Sequence, residues 1–440
     1  MKQERYEEIL NRLKTLIEGS IFEGHVYSVG GCERDVKLGK PIKDIDLVVD
    51  IPNGGIMLAE WLWENNNTMW APVIYQNFGT AMFTLKEFGD VELEAVQTRK
   101  EAYRDINSRD PETAFGTIHD DCTRRDFTVN AFYRNISTGE SIDFNGNSEA
   151  DLKNKIIRTC GDPEIIFNED PLRILRMVRF SSRLGFEIEE KTFECARKYV
   201  DRLSIISRER VHDEFMKMCD VKDFNQFFVA ISLIWDIGAF KYIIPYLHKL
   251  NHLDKFNLKD RLADFWFYNV FPKPSELFAA MLYKDPDAEE EMRELKCCND
   301  FIKEVMFYIN TTKEFRKIFE GEWYEENEEF IFRKFMYRCG SSRKLQVVLS
   351  MDEHLYDYFF DFYYGEENNM FREYENANLM FYTYKLPVDG NDVMEVLGIG
   401  PSEKVKIALD RLLDFVFANP DHSDRDNLMR YLEQIIKKDI

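Results

Sequence analysis

Residues 26–50 read VYSVGGCERDVKLGKPIKDIDLVVD, and this stretch decides the fold. Val26–Val29 and Asp46–Val49 are apolar, β-branched runs and are expected to be strands. Between them, the glycines at 30 and 31 let the backbone turn tightly and approach a ligand. A short helix opening at Cys32 follows, and its first turn offers free N–H groups and positive dipole to a phosphate. Alternate residues of a strand share a face, so Asp44 and Asp46 point together. A phosphate cradle facing two carboxylates is a layout that holds Mg²⁺ on a nucleoside triphosphate.

The rest of the chain sets the bounds. Its 440 residues are enough for about two to four domains. With 45% hydrophobic and 31% charged residues it reads as globular. The net charge of −22 argues against sequence-blind RNA binding over the whole surface; any RNA contact needs a local basic patch. The eight cysteines form no C-x-x-C pair and are expected to be reduced thiols in a cytoplasmic protein. Residues 1–19 have the pattern of a polar amphipathic helix, without the apolar core of a signal peptide. No apolar run approaches the roughly 18 residues of a membrane span, so no membrane association is expected.

Alternating segments continue at Thr80–Leu85 and Val91–Val96, with a helix expected over Gly55–Asn65. Together they predict a small mixed sheet with helices. No G-x-G-x-x-G follows a strand, which disfavours a dinucleotide fold. Lys100–Asp120 is polar and contains Pro111 and Gly116, and it reads as a mobile loop. Asp121–Tyr133, DCTRRDFTVNAFY, carries a double arginine followed by an acid, and such a set suits a nucleotide: guanidinium for phosphate, carboxylate for ribose hydroxyls. In NEDPLRILRMVRFSSRLGF, Pro171 marks a helix start. Arg176, Arg179 and Arg183 form a stripe among apolar residues, a costly placement unless something anionic meets them. Arg210 and Glu214 stand at i, i+4, spaced for a helix-stabilising ion pair. From residue 219 onward the pattern is helical. His248 and His252 have ligand spacing but no partner set that completes a metal site.

These motifs resemble those of the tRNA CCA-adding enzymes and bacterial poly(A) polymerases, the class II branch of the polymerase-β-like nucleotidyltransferases. The family reads GG-x-x-RD, a short helix, then D-x-D. Gly30, Gly31, Arg34 and Asp35 match it, with Asp44 and Asp46 at the family's spacing. Glu33 and Lys37 stand where the family usually has apolar residues. Aligning VELEAVQTR on Arg99 puts the family's third acid at Glu94, with Glu92 the alternative; Gln97 and Thr98 depart from the pattern. The family's RRDFT-x-NA motif assigns ribose recognition to Arg125 and Asp126, and Asn130 falls to holding the motif's backbone. Its ED-x-x-R motif falls on Glu169, Asp170 and Arg173, and implies that Asp170 and Arg173 read the incoming base. Arg176 and Arg179 are then candidates for the triphosphate. ER-x-x-x-E matches Glu209, Arg210 and Glu214. Gly390, Asp392, Leu397, Gly398, Gly400 and Pro401 resemble the tail motif, with Ser402 replacing a common glycine. No histidine–aspartate phosphohydrolase motif occurs at Leu282–Asp285.

The resemblance implies an α+β architecture: a polymerase-β-like head with a small mixed sheet over residues 1–145, then an all-α neck (146–218), body (219–330) and tail (331–440). The head and neck would carry chemistry and base recognition, and the tail would grip the acceptor arm of tRNA. The implied activity is template-independent addition of CMP, CMP and AMP to the tRNA 3′ end from CTP and ATP. Mg²⁺ would be held by Asp44 and Asp46, supported by Glu94, while Gly30, Gly31 and Arg34 would seat phosphates. An A-adding or CC-adding enzyme, a poly(A) polymerase, and an inactive RNA-binding relative share these motifs and stay open. The acidic, aromatic stretches 320–329 and 356–375 match no motif, and no protein partner is indicated.

Overall fold

The computed structural model describes residues 1–76, 79–102, 112–268, 272–321, 328–352, 355 and 379–436. The stretches 322–327 and 356–375, within the unexplained acidic segments, lie outside the described residues. So do residues 103–111 of the expected loop. The chain divides into two compact units, Met1–Lys249 with Glu294–Lys296, and Leu250–Arg293 with Cys297–Ile440.

The first unit is built on a seven-stranded mixed sheet. Its strands are β1 (Val26–Val29), β2 (Ile45–Val49), β3 (Val73–Tyr75), β4 (Thr80–Phe83) and β5 (Leu93–Gln97), completed by Tyr133–Asn135 and Ser141–Ile142. The spatial order puts β2 between β1 and β5, antiparallel to the first and parallel to the second. Period-2 alternation sorts the residues between the two faces. Ile45, Leu47 and Val49 of β2, with Leu93 and Ala95 of β5, enter the main core. That core is closed by α1 (Gln3–Ile17), through Tyr6, Ile9, Leu10 and Leu13, and by α3 (Gly54–Glu64), through Leu58, Ala59 and Leu62. A Cβ on Gly55 would lie 2.5 Å from the Ala95 carbonyl oxygen, so glycine there is what lets α3 lie against β5. The opposite face carries the acids. Val48 and Val29 on that side pack on Cys122, Ala131 and Tyr133.

Between β1 and β2 lies α2 (Gly31–Lys37). The stretch expected to be a loop holds more structure than its polarity suggests. Arg99–Ala102 and Glu112–Phe115 pair as an antiparallel ribbon, β6 and β7. Cross-strand hydrogen bonds fix such a ribbon without the apolar alternation that a sequence reading depends on. After it, α4 (Ile118–Thr123) starts at a reciprocal cap of Thr117 and Asp120.

The neck continues the same unit. It runs through α5 (Ser148–Asn154), α6 (Pro163–Glu169), α7 (Leu172–Leu184), α8 (Glu190–Tyr199) and α9 (Arg208–Cys219). Asp162 caps α6, with Pro163 in its first turn. Gly185 ends α7 in the left-handed conformation at φ 70°. All eight cysteines are free thiols, most of them buried.

The second unit is helical among its described residues, with long helices at Asn299–Gly321 and Glu403–Ala418. Buried acids in it are met by arginines. Glu276, fully buried, accepts from Arg343 at 2.6 Å, and Asp352 accepts from Arg316 at 2.7 Å and from the Tyr283 hydroxyl at 2.8 Å. The tail motif is a capped helix. Asp389 and Asp392 form a capping box on Gly390–Leu397, and Gly398 closes it at φ 64°. No helix among the described residues is long and apolar enough to cross a membrane.

Candidate functional site

The turn between β1 and α2 is the centre of the site. Gly30 adopts φ 83° and ψ −130°, a conformation that side chains oppose. A Cβ placed there would lie 3.4 Å from Arg125 Nη1, 3.7 Å from the Asn130 carbonyl oxygen and 3.9 Å from Asp46 Oδ2. One turn thus brings together a guanidinium, a carboxylate and the start of a helix.

Asp46 is a register partner of Glu94 on β5. Asp44 stands one residue before β2 and is exposed. Burial pushes the Asp46 carboxyl up to about 6, with Glu94 and Asp44 adding to the rise while Arg125 opposes it. This cluster has more negative charge than its surroundings balance, and its donors are hard oxygens, the set that suits a divalent cation. Among the described residues, no three acidic, imidazole or thiol groups are placed to hold a metal ion together. Mg²⁺ is usually bound by one or two carboxylates together with substrate phosphates, and Asp44 and Asp46 have the donor chemistry for that. A cavity of about 690 Å³ opens beside Asp44, with Lys2, Arg5, Lys43 and Glu92 in its wall.

The RRD motif is anchored from below. Asp121, fully buried, accepts from Arg125 Nη2 at 3.1 Å and from the Tyr133 hydroxyl at 2.7 Å. Arg125 Nε donates to that hydroxyl at 2.7 Å, leaving Nη1 toward the Gly30 turn. Burial alone pushes the Asp121 carboxyl up, but Arg125 and Arg124, with the tyrosine, more than reverse this and hold it at about 2. The motif match to RRDFT-x-NA does not include Asp121. The acid four residues before Arg125, at helical spacing, is its available signal.

Asp126 is buried and faces the neck. Its Oδ2 accepts from Arg176 Nη2 at 2.6 Å and Nε at 2.8 Å, and its Oδ1 from Asn130 Nδ2 at 3.1 Å. Arg34 donates to Asn130 Oδ1 at 2.5 Å and pairs with Asp35 at 2.8 Å. Arg179 Nε donates to Glu214 Oε2 at 2.6 Å, and both are buried. Arg183 donates to the Lys217 and Asp220 carbonyls. Buried Arg179 and partly exposed Arg176 thus each meet a protein carboxylate, whereas Arg183 meets backbone carbonyls. Arg176 and Arg179, the expected candidates for the triphosphate, are held by Asp126 and Glu214.

Asp170 lies between α6 and α7, where its Oδ1 accepts from the Leu172 N–H at 3.2 Å. Its Oδ2 accepts from Arg210 Nη2 at 3.1 Å. Arg173 is buried, 3.6 Å from Glu169, and reaches the Ile166 carbonyl at 3.4 Å. The i, i+4 spacing of Arg210 and Glu214 suggests a mutual pair, but each serves a separate partner on the base-motif segment, Asp170 for the arginine and Arg179 for the glutamate. Beside Glu169 a second cavity, of about 270 Å³, is lined by Lys100, Arg124, Asp162 and Ile165.

The family described as the poly A polymerase head domain matches residues 26–158. The one described as the probable RNA and SrmB-binding site of polymerase A matches residues 185–250. A CCA-adding enzyme of Anoxybacillus flavithermus is 30% identical over 318 residues, covering 72% of this chain and 73% of that enzyme. The chain belongs to the CCA-adding enzyme family. A second member, from Streptococcus thermophilus, is 26% identical across 92% of both chains. In fold, the chain matches the crystal structure of the Bacillus stearothermophilus CCA-adding enzyme in complex with CTP at a TM-score of 0.71, with 22% identity, over 100% of this chain and 99% of that one. Family membership thus spans the catalytic sheet, the neck and the helical remainder, and the expected α+β architecture with a small mixed sheet agrees with it.

Proposed function

We propose that this chain is a tRNA nucleotidyltransferase that adds CMP, CMP and AMP to the 3′ end of tRNA from CTP and ATP, releasing diphosphate, and that it works in the cytoplasm, where immature tRNA is found. The observation that carries this reading is the convergence of Asp46 and Arg125 Nη1 on the Gly30 turn. In the reaction the terminal 3′ hydroxyl attacks the α-phosphorus, the new O–P bond forms, and the bond to the leaving diphosphate breaks.

Each residue has a role in this reading. The Gly31 turn and the first N–H groups of α2 receive phosphate oxygens. Arg125 Nη1 neutralises charge at the same point, held in place by Asp121 and Tyr133. Asp44 and Asp46, supported by Glu94, would hold Mg²⁺, which when bound would lower the pKa of the attacking hydroxyl and neutralise charge on the leaving group. Arg34 and Asp126 shape the pocket floor, Asp126 toward the ribose. Asp170 accepts from the exocyclic amine of cytosine or adenine, and Arg173 donates to the adjacent ring nitrogen. Uracil and guanine reverse that pattern and leave both groups unmatched, worth about 1–3 kcal/mol of discrimination for a bidentate pair. Arg176 and Arg179, bound to carboxylates, orient the base-reading helix. The neck and the helical unit serve tRNA, whose acceptor arm they would engage through phosphates and shape.

The test is incubation with tRNA lacking its 3′ end, each NTP supplied alone and then CTP with ATP, followed by sequencing of the product ends. Two C residues from CTP alone, and CCA from the pair, are expected. Runs of A from ATP alone would indicate a poly(A) polymerase, and single-base addition an A-adding enzyme.

A further inference from the structure

Phe180 stands on α7, half-buried, where the helix meets the head. Three guanidinium groups surround its ring: Arg34 at 5.5 Å from the centroid, Arg176 at 5.4 Å and Arg179 at 4.3 Å. The edge of Phe127 closes another side at 5.9 Å. Each arginine is held on its outer side. Arg34 is fixed by Asp35 and Asn130, Arg176 by Asp126, and Arg179 by Glu214. Because Asn130 also donates to Asp126, the belt runs unbroken from α2 to α7.

Packing alone does not call for this arrangement, since a leucine fills a similar gap without collecting three like charges. A guanidinium over a ring is attracted by the ring's negative face, and the carboxylates offset the mutual repulsion. The result is a stiff joint. Arg34 lies three residues beyond Gly31 in the helix that starts at the phosphate turn. Phe180 lies seven residues beyond Arg173, two turns along the same helix face. Base reader and phosphate turn are thus connected through two short helices and one aromatic contact.

We infer that Phe180 is a positioning residue for base selection: it fixes the span between the Asp170–Arg173 pair and the Gly30–Gly31 turn. Only a nucleotide whose base satisfies the pair then sets its α-phosphate against Asp46. The inference rests on the reading of Asp170 and Arg173 as the base readers.

The test uses the full chain, tRNA lacking its 3′ end, and CTP or UTP. Phe180→Leu is expected to lower the ratio of kcat/KM for CTP over UTP about tenfold, the scale on which a coupling residue acts, with KM for tRNA unchanged. Phe180→Tyr keeps the ring and is expected to keep the wild-type ratio. Phe180→Met fills the space flexibly and serves if the leucine variant does not melt cooperatively; it is expected to behave like leucine. A wild-type ratio in the leucine or methionine variant, or a tyrosine variant as indiscriminate as leucine, overturns the inference. Asp170→Ala separates the two readings. If it leaves the ratio intact, the base-reading assignment fails; if it abolishes the ratio while Phe180→Leu does not, only the role of Phe180 fails.

Discussion

Arg210 Nη2 donates to Asp170 Oδ2 across 3.1 Å, joining α9 to the junction where α7 begins. The arginine is half exposed, and the aspartate side chain is 23% exposed. An exposed pair of this kind contributes about 0–1 kcal/mol to stability. Its value lies in direction: it holds the carboxylate as an acceptor aimed by two contacts, the other being the Leu172 N–H.

Arg210→Gln is therefore expected to change melting by little, while incorporation of UMP relative to CMP rises several-fold. Parallel thermal unfolding and single-nucleotide incorporation assays check both halves. Loss of stability without loss of discrimination would assign Arg210 a purely structural role.

Asp46→Asn is expected to abolish incorporation, by at least about 10²–10³-fold, as for loss of a charge-stabilising group. The same change is expected to raise stability. In the folded chain burial, Glu94 and Asp44 push this carboxyl up to about 6. Ionising it at neutral pH therefore costs the folded state free energy, about 1–3 kcal/mol. Urea unfolding in chelator at pH 7.5 compares the variant with wild type; below about pH 4, where both states are protonated, the gap closes.

Gly30→Ala places a methyl group at φ 83°, 3.4 Å from Arg125 Nη1. Backbone strain there costs about 1–3 kcal/mol. The crowding falls on the phosphate turn, so a raised KM for CTP is expected along with a lower melting temperature.

How much of this was legible in the sequence depends on the range of the interactions. The turn at Gly30–Gly31, the two strands and Asp44 with Asp46 lie within 25 residues, and local propensity and alternation suffice to place them. The partners of the buried arginines do not: Arg176 meets Asp126 from 50 residues away, and Arg179 meets Glu214 from 35. The stripe on α7 required an anion without naming it. The i, i+4 rule named the wrong partner for Glu214 because tertiary packing offered it a buried guanidinium. β6 and β7 were hidden because their pairing is carried by backbone hydrogen bonds between polar residues.

Glu33 puts a carboxyl at a position the family usually keeps apolar. It is 2% exposed and accepts from the Tyr6 hydroxyl at 2.5 Å, with Ser28 at 2.5 Å from the same oxygen. Burial pushes its carboxyl up. An acid whose folded pKa lies above its unfolded value gives stability that is whole below the unfolded pKa and declines as pH rises through the folded one. Glu33→Gln removes that titration while keeping an acceptor for Tyr6, so it is expected to flatten the fall in stability as pH rises above the ordinary glutamate value of 4.5. Urea unfolding of variant and wild type across that range reads the difference. Tyr6→Phe instead leaves the Glu33 carboxyl without its donor and the Ser28 hydroxyl without its acceptor, at a cost of about 1–3 kcal/mol.

Asp121 tests the opposite sign. Held at about 2 when folded, chiefly because Arg125 and Arg124 outweigh the effect of burial, it stabilises the fold above its ordinary value near 3.8. That stability, about 2 kcal/mol, is lost as pH falls through the window from about 4 to 2. Asp121→Asn removes the window. It also leaves two guanidinium groups, 14% and 18% exposed, without their carboxylate, a loss of about 3–5 kcal/mol. Arg125 then keeps only the Tyr133 hydroxyl of its two anchors, so the nucleotide KM is expected to rise. Acid titration of wild type and variant by circular dichroism, with CTP kinetics at pH 7.5, reads both effects. If the variant titrates with the wild-type acid limb, the stability of this head against acid comes from other carboxylates and the Asp121 anchor is not what positions Arg125.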